Sequence, residues 1–376
     1  MKRILIVASD GITKSGVPNV FMNIMRHMHN MGYVFDVLYF DETLPFFKEE
    51  IVSLGGKLIF SNLDKRKTNK IQKLLIKRQT SKIIEKIIKE NGPYDCVHSF
   101  KGLDSGYVLR AAYKCGVPSR VSHMAFTFFP SKNPFIRFIE NHERKLIDKY
   151  SIYVVSDSEK TAINNIPYSK KNIVIQNFYD ETFTYNDVRE KTNEISFIQI
   201  GSYSFNKNQL FSINILKDIL KQYPNSILHF VGFKNSGDPT YFDKLCSYVK
   251  ENNLSDHIVF HKHDENTKEL FTKCHYLLFP SLSESFGIVP VEAQASGLSC
   301  FCSDTVTREN NCGGCTYLPL KEPQKWIEAI INDFEATKGA HKKFNLTNFS
   351  AKEIVKKYEL VYENKYQKWL ISNHYV

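Results

Sequence analysis

Short apolar runs alternate with longer amphipathic ones along almost the whole chain, and this alternation limits the fold more than any other feature. Apolar runs read as strands start at Arg3 ("RILIVAS"), Phe35 ("FDVLYF"), Lys57 ("KLIFS"), Tyr94 ("YDCVHSF"), Arg120 ("RVSH") and Ile152 ("IYVVSDS"). Most are separated by helical stretches. In "VPNVFMNIMRHMHNMG" the residues Val20, Phe21, Ile24, Met25 and Met28 share one face, while Asn23, His27 and Asn30 share the other. Gly32 then suits a helix C-terminus. The pattern pauses in the polar segment 180–194, "DETFTYNDVREKTNE", which reads as a linker. It restarts with "ISFIQIGS", "SILHFVGF", "HIVFHK", "YLLFPS" and "LSCFCS". Strand–helix alternation means parallel sheets covered by helices on both faces. Two such series predict two doubly wound α/β domains, 1–180 and 195–350. A final stretch, 351–376, reads as one more long helix with no strand after it.

A chain of 376 residues is long enough for each domain to bury its own core. The apolar run at the N-terminus is too short for a signal peptide and reads as a first strand, so the expectation is a cytoplasmic protein. Eight cysteines in such a chain are expected to be reduced thiols. Cys300, Cys302, Cys312 and Cys315 have the number of a zinc site. The alternation of "LSCFCSD" instead puts Cys300 and Cys302 on one buried face of a strand. Charge is uneven. Residues 1–180 carry 28 Lys and Arg against 17 Asp and Glu, a surplus of 11 positive charges, and the remainder is almost balanced, at 22 against 23. The first half is therefore expected to face something anionic, a membrane surface or an acidic substrate. No zinc finger, RNP or helix-turn-helix signature points to nucleic acid.

Ligands of parallel α/β sheets bind where strands end, so the loops after strands carry the candidate chemistry. "SDGITKSGVPN" follows the first strand. Gly11 and Gly16 in it are five apart, which fits neither the G-x-G-x-x-G fingerprint nor a P-loop. In "RVSHMAFTFF", His123 stands at a strand's carboxyl end before Phe126, Phe128 and Phe129. Those aromatics suit either a core or a lip that dips into lipid. In "GSYSFNKNQ", Lys207 lies near a helix start, where a cation gains nothing from the helix dipole. An anion such as a diphosphate between them would explain its placement.

The stretch "SLSESFGIVPVE" holds Glu284 and Glu292 around Gly287 and Pro290. Pro290 suits a first helical turn, and Gly287 permits an unusual backbone angle. The N–H groups around Phe286, Gly287 and Ile288 would then face an anion. Two carboxylates beside it are better suited to accept hydrogen bonds from hydroxyls than to touch a phosphate. A ligand with hydroxyls, a diphosphate and more hydroxyls is a nucleotide sugar.

With these loops, the chain resembles the retaining GT-B glycosyltransferases of family 4, in particular the bacterial exopolysaccharide and capsule group. The resemblance covers nearly the whole chain and is densest over "FPSLSESFGIVPVEAQASGLSCFCSD". It implies two Rossmann-like domains facing across a cleft, the donor held by the C-terminal one and the last helix returning to the N-terminal one. It implies that Glu284 contacts the donor sugar's hydroxyls and Glu292 the ribose. The backbone at Phe286, Gly287 and Ile288 would hold sugar and diphosphate, and Lys207 would neutralise the diphosphate. Gly16 matches a glycine that approaches the β-phosphate, and His123 a histidine near the donor sugar. Two positions depart from the family. Ser202 stands where an arginine is usual, and Asn177-Phe178 replaces an asparagine-glycine.

The resulting expectation is sugar transfer with retention from a nucleotide diphosphate sugar, a UDP-sugar first, to a glycan or lipid-linked acceptor of surface polysaccharide. No metal or other cofactor is expected, because no D-x-D or histidine cluster lies in a suitable loop. The segment from Lys65 to Lys89 carries ten Lys and Arg and one Glu. It is read as a basic helix that either docks on anionic membrane or is simply solvated. A sugar-nucleotide 2-epimerase of the same fold and a non-catalytic nucleotide-sugar-binding subunit are the alternatives.

Overall fold

The computed structural model describes residues 1–9, 12, 16–40, 45–61, 70–185, 194–234, 238–262 and 266–372, the side chains of 70–78 excepted. The chain divides into two compact units. One comprises Met1–Asn177 with Ala351–Val376, and the other Phe178–Ser350.

The first unit runs β1 (Lys2–Val7), α1 (Gly16–His29), β2 (Tyr33–Tyr39), α2 (Lys48–Ser53), β3 (Leu58–Phe60), α3 (Lys70–Asn91), β4 (Cys96–Ser99), α4 (Ser105–Lys114), β5 (Ser119–Met124), α5 (Pro134–Tyr150), β6 (Tyr153–Ser156), α6 (Glu159–Asn165) and β7 (Asn172–Val174). Its seven strands are parallel in the order β3-β2-β1-β4-β5-β6-β7. Ile4 to Val7 of β1 have no exposed surface, because helices cover both faces of a central parallel strand. In α1, Phe21, Met22, Ile24, Met25 and Met28 are buried, while Val20 is only half-buried. Gly32 follows with φ +84°, its N–H closing on the His29 carbonyl.

The second unit runs β8 (Ser196–Ile200), α7 (Gln209–Ile219), β9 (Ile227–Gly232), α8 (Thr240–Glu251), β10 (Ile258–Lys262), α9 (Thr267–Lys273), β11 (Tyr276–Phe279), α10 (Val289–Ala295), β12 (Ser299–Ser303), β13 (Cys315–Leu318) and α11 (Pro323–Thr337). The parallel order is β10-β9-β8-β11-β12-β13. Cys300 and Cys302 pack together on one side of β12, and Phe301 joins the core on the other. Among the described residues, no group of three or more His, Cys, Asp or Glu could hold a metal ion.

The structure corrects four expectations. Two edge strands escape the apolar-run rule: β7 has three residues, and β13 ("CTYL") is half-exposed along its length. Residues 180–185 are not linker. Phe183 is buried against Phe271, and Lys268 Nζ donates to Asp180 and Thr182. The rest of that segment, 186–193, lies outside the described residues. The single C-terminal helix is two, α12 (Ala351–Tyr362) and α13 (Tyr366–Ser372). The break is a Schellman motif. Asn364 takes φ +57°, its N–H reaches the Val361 carbonyl, and the Lys365 N–H reaches Leu360. Finally, the basic helix turns Ile84, Ile87 and Ile88 into the core, so that half of its apolar face is not open to lipid. Residues 65–69 and the side chains of 70–78 lie outside the described residues. Among the described residues, no helix is long and apolar enough to cross a membrane.

α12 is fastened to the first sheet by polar contacts in a buried setting. The Tyr362 hydroxyl meets His98 Nδ1 at 2.9 Å, His98 Nε2 meets His123 Nδ1 at 3.2 Å, and His123 Nε2 meets Asp157 at 2.8 Å. With a neutral His123 ring donating to the Asp157 carboxylate, the protons run in one order: Tyr362 donates to His98, His98 to His123, and His123 to Asp157. Burial, with His123 beside it, holds His98 well below its ordinary pKa, in line with a neutral ring. Tyr362→Phe removes the hydroxyl that meets His98 Nδ1. It should lower unfolding stability by about 1–3 kcal/mol in urea titrations near neutral pH. A change within error would mean the relay contributes nothing to holding α12.

Candidate functional site

In the second sheet the order of winding reverses between β8 and β11, the two central strands. The loops leaving their carboxyl ends therefore lie side by side, which makes a crevice open to a ligand. These loops hold Lys207 and Glu284, 77 residues apart in the chain. The Lys207 ammonium donates to Glu284 Oε1 at 2.5 Å.

The two loops are also joined through the backbone. The Leu282 N–H donates to the Asn206 carbonyl (2.8 Å), Asn206 Nδ2 to the Ser283 carbonyl (2.8 Å), and Asn208 Nδ2 to the Pro280 carbonyl (3.3 Å). Lys207 ends a short 3₁₀ turn, Phe205–Lys207, and Asn208 then turns the chain into α7 with φ +53°. Its aliphatic stem lies on Gly201, where a Cβ would meet it at 3.1 Å. Its ammonium stands 5.6 Å from the Phe279 ring centre, and its carbonyl accepts from Gln199 Nε2 at 2.6 Å. The Lys207 and Glu284 side chains keep 21% and 13% of their surface, enough for a ligand to reach both. Ser202 supplies no charge here, and its carbonyl accepts from Gln209.

Beyond Glu284 the chain enters α10 through a shaped turn. Phe286 is fully buried, with its ring against Phe349. Its side chain is core, so only its backbone is on offer. Gly287 has φ +73°, and a Cβ there would sit 2.9 Å from the Phe279 ring. Both requirements select glycine. Asn310 Nδ2 donates to the carbonyls of Phe286 (2.9 Å) and Gly287 (3.1 Å). Because a trans peptide points its C=O and N–H in opposite directions, this turns the N–H groups of Gly287 and Ile288 away from Asn310. Neither donates to a described residue. Asn310 is itself fixed by the Tyr317 hydroxyl (2.8 Å) and by Gln294 Nε2 on its carbonyl (3.0 Å). Sequence reasoning missed Asn310 and Gln294. They lie outside the glutamate stretch's turn, and a buried amide leaves no periodic signal.

Glu292 falls in the first turn of α10, beside Asp180 and Lys268. It is half-buried, and its carboxylate accepts no hydrogen bond from a described residue. Burial and the neighbouring Asp180 raise its pKa from 4.5 to about 7, against the pull of Lys268. The structure thus joins Lys207 to Glu284 and sets Glu292 with Asp180 and Lys268. Gly16 and His123 belong to the first unit. Gly16 opens α1 and is exposed, with no atom within 4 Å of a would-be Cβ. His123 has no exposed surface, and both ring nitrogens are engaged by His98 and Asp157. In this arrangement its ring has no nitrogen to offer a sugar.

Two outcomes check this geometry. Asn310→Ala strands the Phe286 and Gly287 carbonyls and the Tyr317 hydroxyl. Each buried group left without a partner costs about 1–3 kcal/mol, so a marked drop in urea stability is expected. Wild-type stability would show that the turn holds its shape unaided. For Glu292, the folded carboxyl keeps its proton where the unfolded one has lost it. Its stabilising contribution is complete below pH 4.5 and is lost as pH rises through about 7. In urea titrations Glu292→Gln should therefore be more stable than wild type near pH 8, by on the order of 1–3 kcal/mol, and the gap should close toward pH 5. Parallel pH curves would mean that the carboxyl is not desolvated.

Residues 180–309, which hold Lys207, Glu284 and Glu292, match the family model "Glycosyl transferases group 1". The chain is similar to the putative glycosyltransferase EpsF of Bacillus subtilis, 26% identical over 88% of this chain and 87% of EpsF. It is also similar to the capsular polysaccharide biosynthesis glycosyltransferase CapH of Staphylococcus aureus, 27% identical over 56% of this chain and 59% of CapH. Among solved structures it shares the fold of Anabaena HepE, crystallised in complex with UDP-glucose, with a TM-score of 0.69, 15% identity and full coverage of both chains. Residues 180–309 are thus a glycosyl transferases group 1 domain, and the chain is a glycosyltransferase built on the two Rossmann-like sheets of the GT-B fold.

Proposed function

We propose that the protein moves a sugar from a nucleotide diphosphate sugar, a UDP-sugar by preference, to a glycan or lipid-linked acceptor of bacterial surface polysaccharide. The observation that carries this is the Lys207–Glu284 pair at the β8/β11 crossing, in the loop that continues to the N–H groups of Gly287 and Ile288, which donate to no described residue. A diphosphate entering there competes with Glu284 for the Lys207 ammonium. Once displaced, Glu284 can accept hydrogen bonds from sugar hydroxyls. The N–H groups of Gly287 and Ile288 add donors for the phosphate or for a sugar oxygen. Glu292 serves the ribose hydroxyls, as a carboxyl poised to accept from one and, when protonated, to donate to another. The Gly287 and Ile288 N–H groups and the Lys207 ammonium meet the charge that develops on the leaving group. With serine at 202, Lys207 bears more of that charge than a lysine backed by an arginine would.

The transfer proceeds with retention. The acceptor oxygen bonds to the anomeric carbon on the face from which the diphosphate oxygen departs, and the acceptor proton passes to that departing oxygen. Neither glutamate acts as a nucleophile in this scheme. EpsF and CapH are named for glycosyl transfer, CapH for capsule synthesis, and HepE was solved with UDP-glucose. Those names support the donor and acceptor classes proposed for this chain.

A thermal-shift screen of nucleotide sugars should find a stabilising UDP-sugar whose effect Glu284→Ala and Lys207→Ala abolish. With an acceptor found, Lys207→Ala should lower kcat by about 10²–10³-fold, the loss typical of one charge-stabilising donor. NMR of the product should show the donor's anomeric configuration. Failure of every nucleotide sugar to bind sinks the proposal. Conversion of a donor alone, with no acceptor, would make the protein an epimerase.

A further inference from the structure

The first unit carries a surface feature that donor chemistry does not use. Of the eighteen large apolar side chains exposed among the described residues, five fall within residues 126–138, where an even scatter would leave none or one. They are Phe126 (56% exposed), Phe129 (63%), Phe135 (60%), Ile136 (37%) and Phe138 (73%). Single exposed apolar residues need no explanation, but a cluster marks something that binds there.

The cluster is held by its surroundings. Asn165 grips the loop after β5 by donating to the Phe126 carbonyl (2.7 Å) and accepting from the Phe128 N–H (2.8 Å). Phe128 turns inward, packing so closely on Gly102 that a Cβ there would lie 2.6 Å from its ring, while Phe126 and Phe129 turn out. Asn133 caps α5, its side chain accepting from the N–H groups of Phe135 (3.0 Å) and Ile136 (3.3 Å), with Pro134 at the first helical position. Arg137 Nε and the Glu140 carboxylate both bind the backbone of Ser131. The aromatic side chains are thus presented on a fixed loop and a capped helix start.

Charge selects the occupant. No Asp or Glu occurs from Phe126 to Phe138, and Lys132 and Arg137 stand exposed among the aromatic rings. The next carboxylates along α5 are engaged or buried. Glu140 is bound to Ser131, and Glu143 is buried. The half of the chain that bears the patch has eleven more basic than acidic residues. A second copy would bring the same positive surface against it. An anionic bilayer surface satisfies both features, with apolar rings entering the headgroup boundary and cations meeting phosphates. We propose that this lip, the β5–α5 loop with the first turn of α5, docks the protein reversibly on anionic lipid. The lip is distinct from the basic stretch Lys65–Lys89, whose described isoleucines are already in the core. It also does not depend on the donor reading, since Lys207, Glu284 and Glu292 lie in the other unit.

The test is flotation of the full chain with vesicles of phosphatidylcholine alone or mixed with phosphatidylglycerol, at low and high salt. Wild type should float with the mixed vesicles at low salt. The triple variant F129S/F135S/F138S should lose roughly tenfold or more of that affinity. Its melting temperature and its thermal shift with nucleotide sugars should match wild type, because all three side chains are exposed. K132E/R137E should reduce binding to the mixed vesicles only. F135W should show a blue-shifted emission when those vesicles are added. The proposal is overturned if wild type does not float. It is also overturned if the triple variant floats as well as wild type, or if flotation is lost only on reversing Lys82, Lys86 and Lys89. Loss of a dimer in light scattering upon the triple substitution, without flotation of wild type, would assign the patch to self-association instead.

Discussion

The reversal of winding between β8 and β11 is the constraint on which the candidate site depends. Parallel strands leave all their carboxyl ends on one edge, and helices normally close over the gaps between neighbours. Where consecutive crossovers go to opposite faces, no helix closes the gap, and two loops from distant parts of the chain must meet. Here they meet as a lysine and a glutamate, with three further hydrogen bonds lacing loop to loop. The ion pair fixes the cation while no anion is present. It also leaves neither partly buried charge unpaired, which would be costly. A diphosphate can therefore be received by exchanging one partner of Lys207 for another, with little rearrangement of the loops.

The turn that follows is held against its own preferences. Gly287 takes a left-handed angle, two carbonyls are held by Asn310, and two N–H groups donate to no described residue. Such a turn persists only if its surroundings over-determine it. Asn310 and Gln294 do so. Gln294 alone donates to the Pro290 and Asn310 carbonyls and accepts from the N–H groups of Cys312 and Gly314. Buried amides of this kind rigidify when every group is satisfied. Glu292 belongs to the same trade. A desolvated carboxyl near another carboxylate reduces stability at neutral pH, and such groups collect where a ligand is to be bound.

Much of this was legible in the sequence, for identifiable reasons. Eleven strands showed as apolar runs because parallel strands covered on both faces need little polar surface. β7 and β13 did not: three residues with one buried, and a half-exposed "CTYL", are too little apolar sequence to read as a run. The break at Asn364 was hidden because asparagine supplies the left-handed turn that glycine would have announced. Glu284, Gly287 and Pro290 stood out because a helix start and a special backbone angle demand particular residue types. Lys207 could be suspected from its unfavourable place at a helix start. Its pairing with Glu284 could not, because that follows from strand order. Asn310 was out of reach, because its role lies in two carbonyls that no side-chain pattern encodes.

His123 shows how small an offset separates the two outcomes. The carboxyl end of a parallel strand is where ligands bind, but a residue there can also be taken up by its own sheet and helices. β5 runs on to Met124, so His123 is still within the ladder, and its ring points into the first unit. There it forms the centre of a line of hydrogen bonds from Tyr362 to Asp157. Its rings stack with Phe100 and lie near Tyr358, which leaves no solvent on either face. In this position the histidine joins three elements of the sequence that are far apart: the β5 strand, the end of β6 and the returning helix α12. In this structure its contacts tie residues of the returning helix to the first sheet.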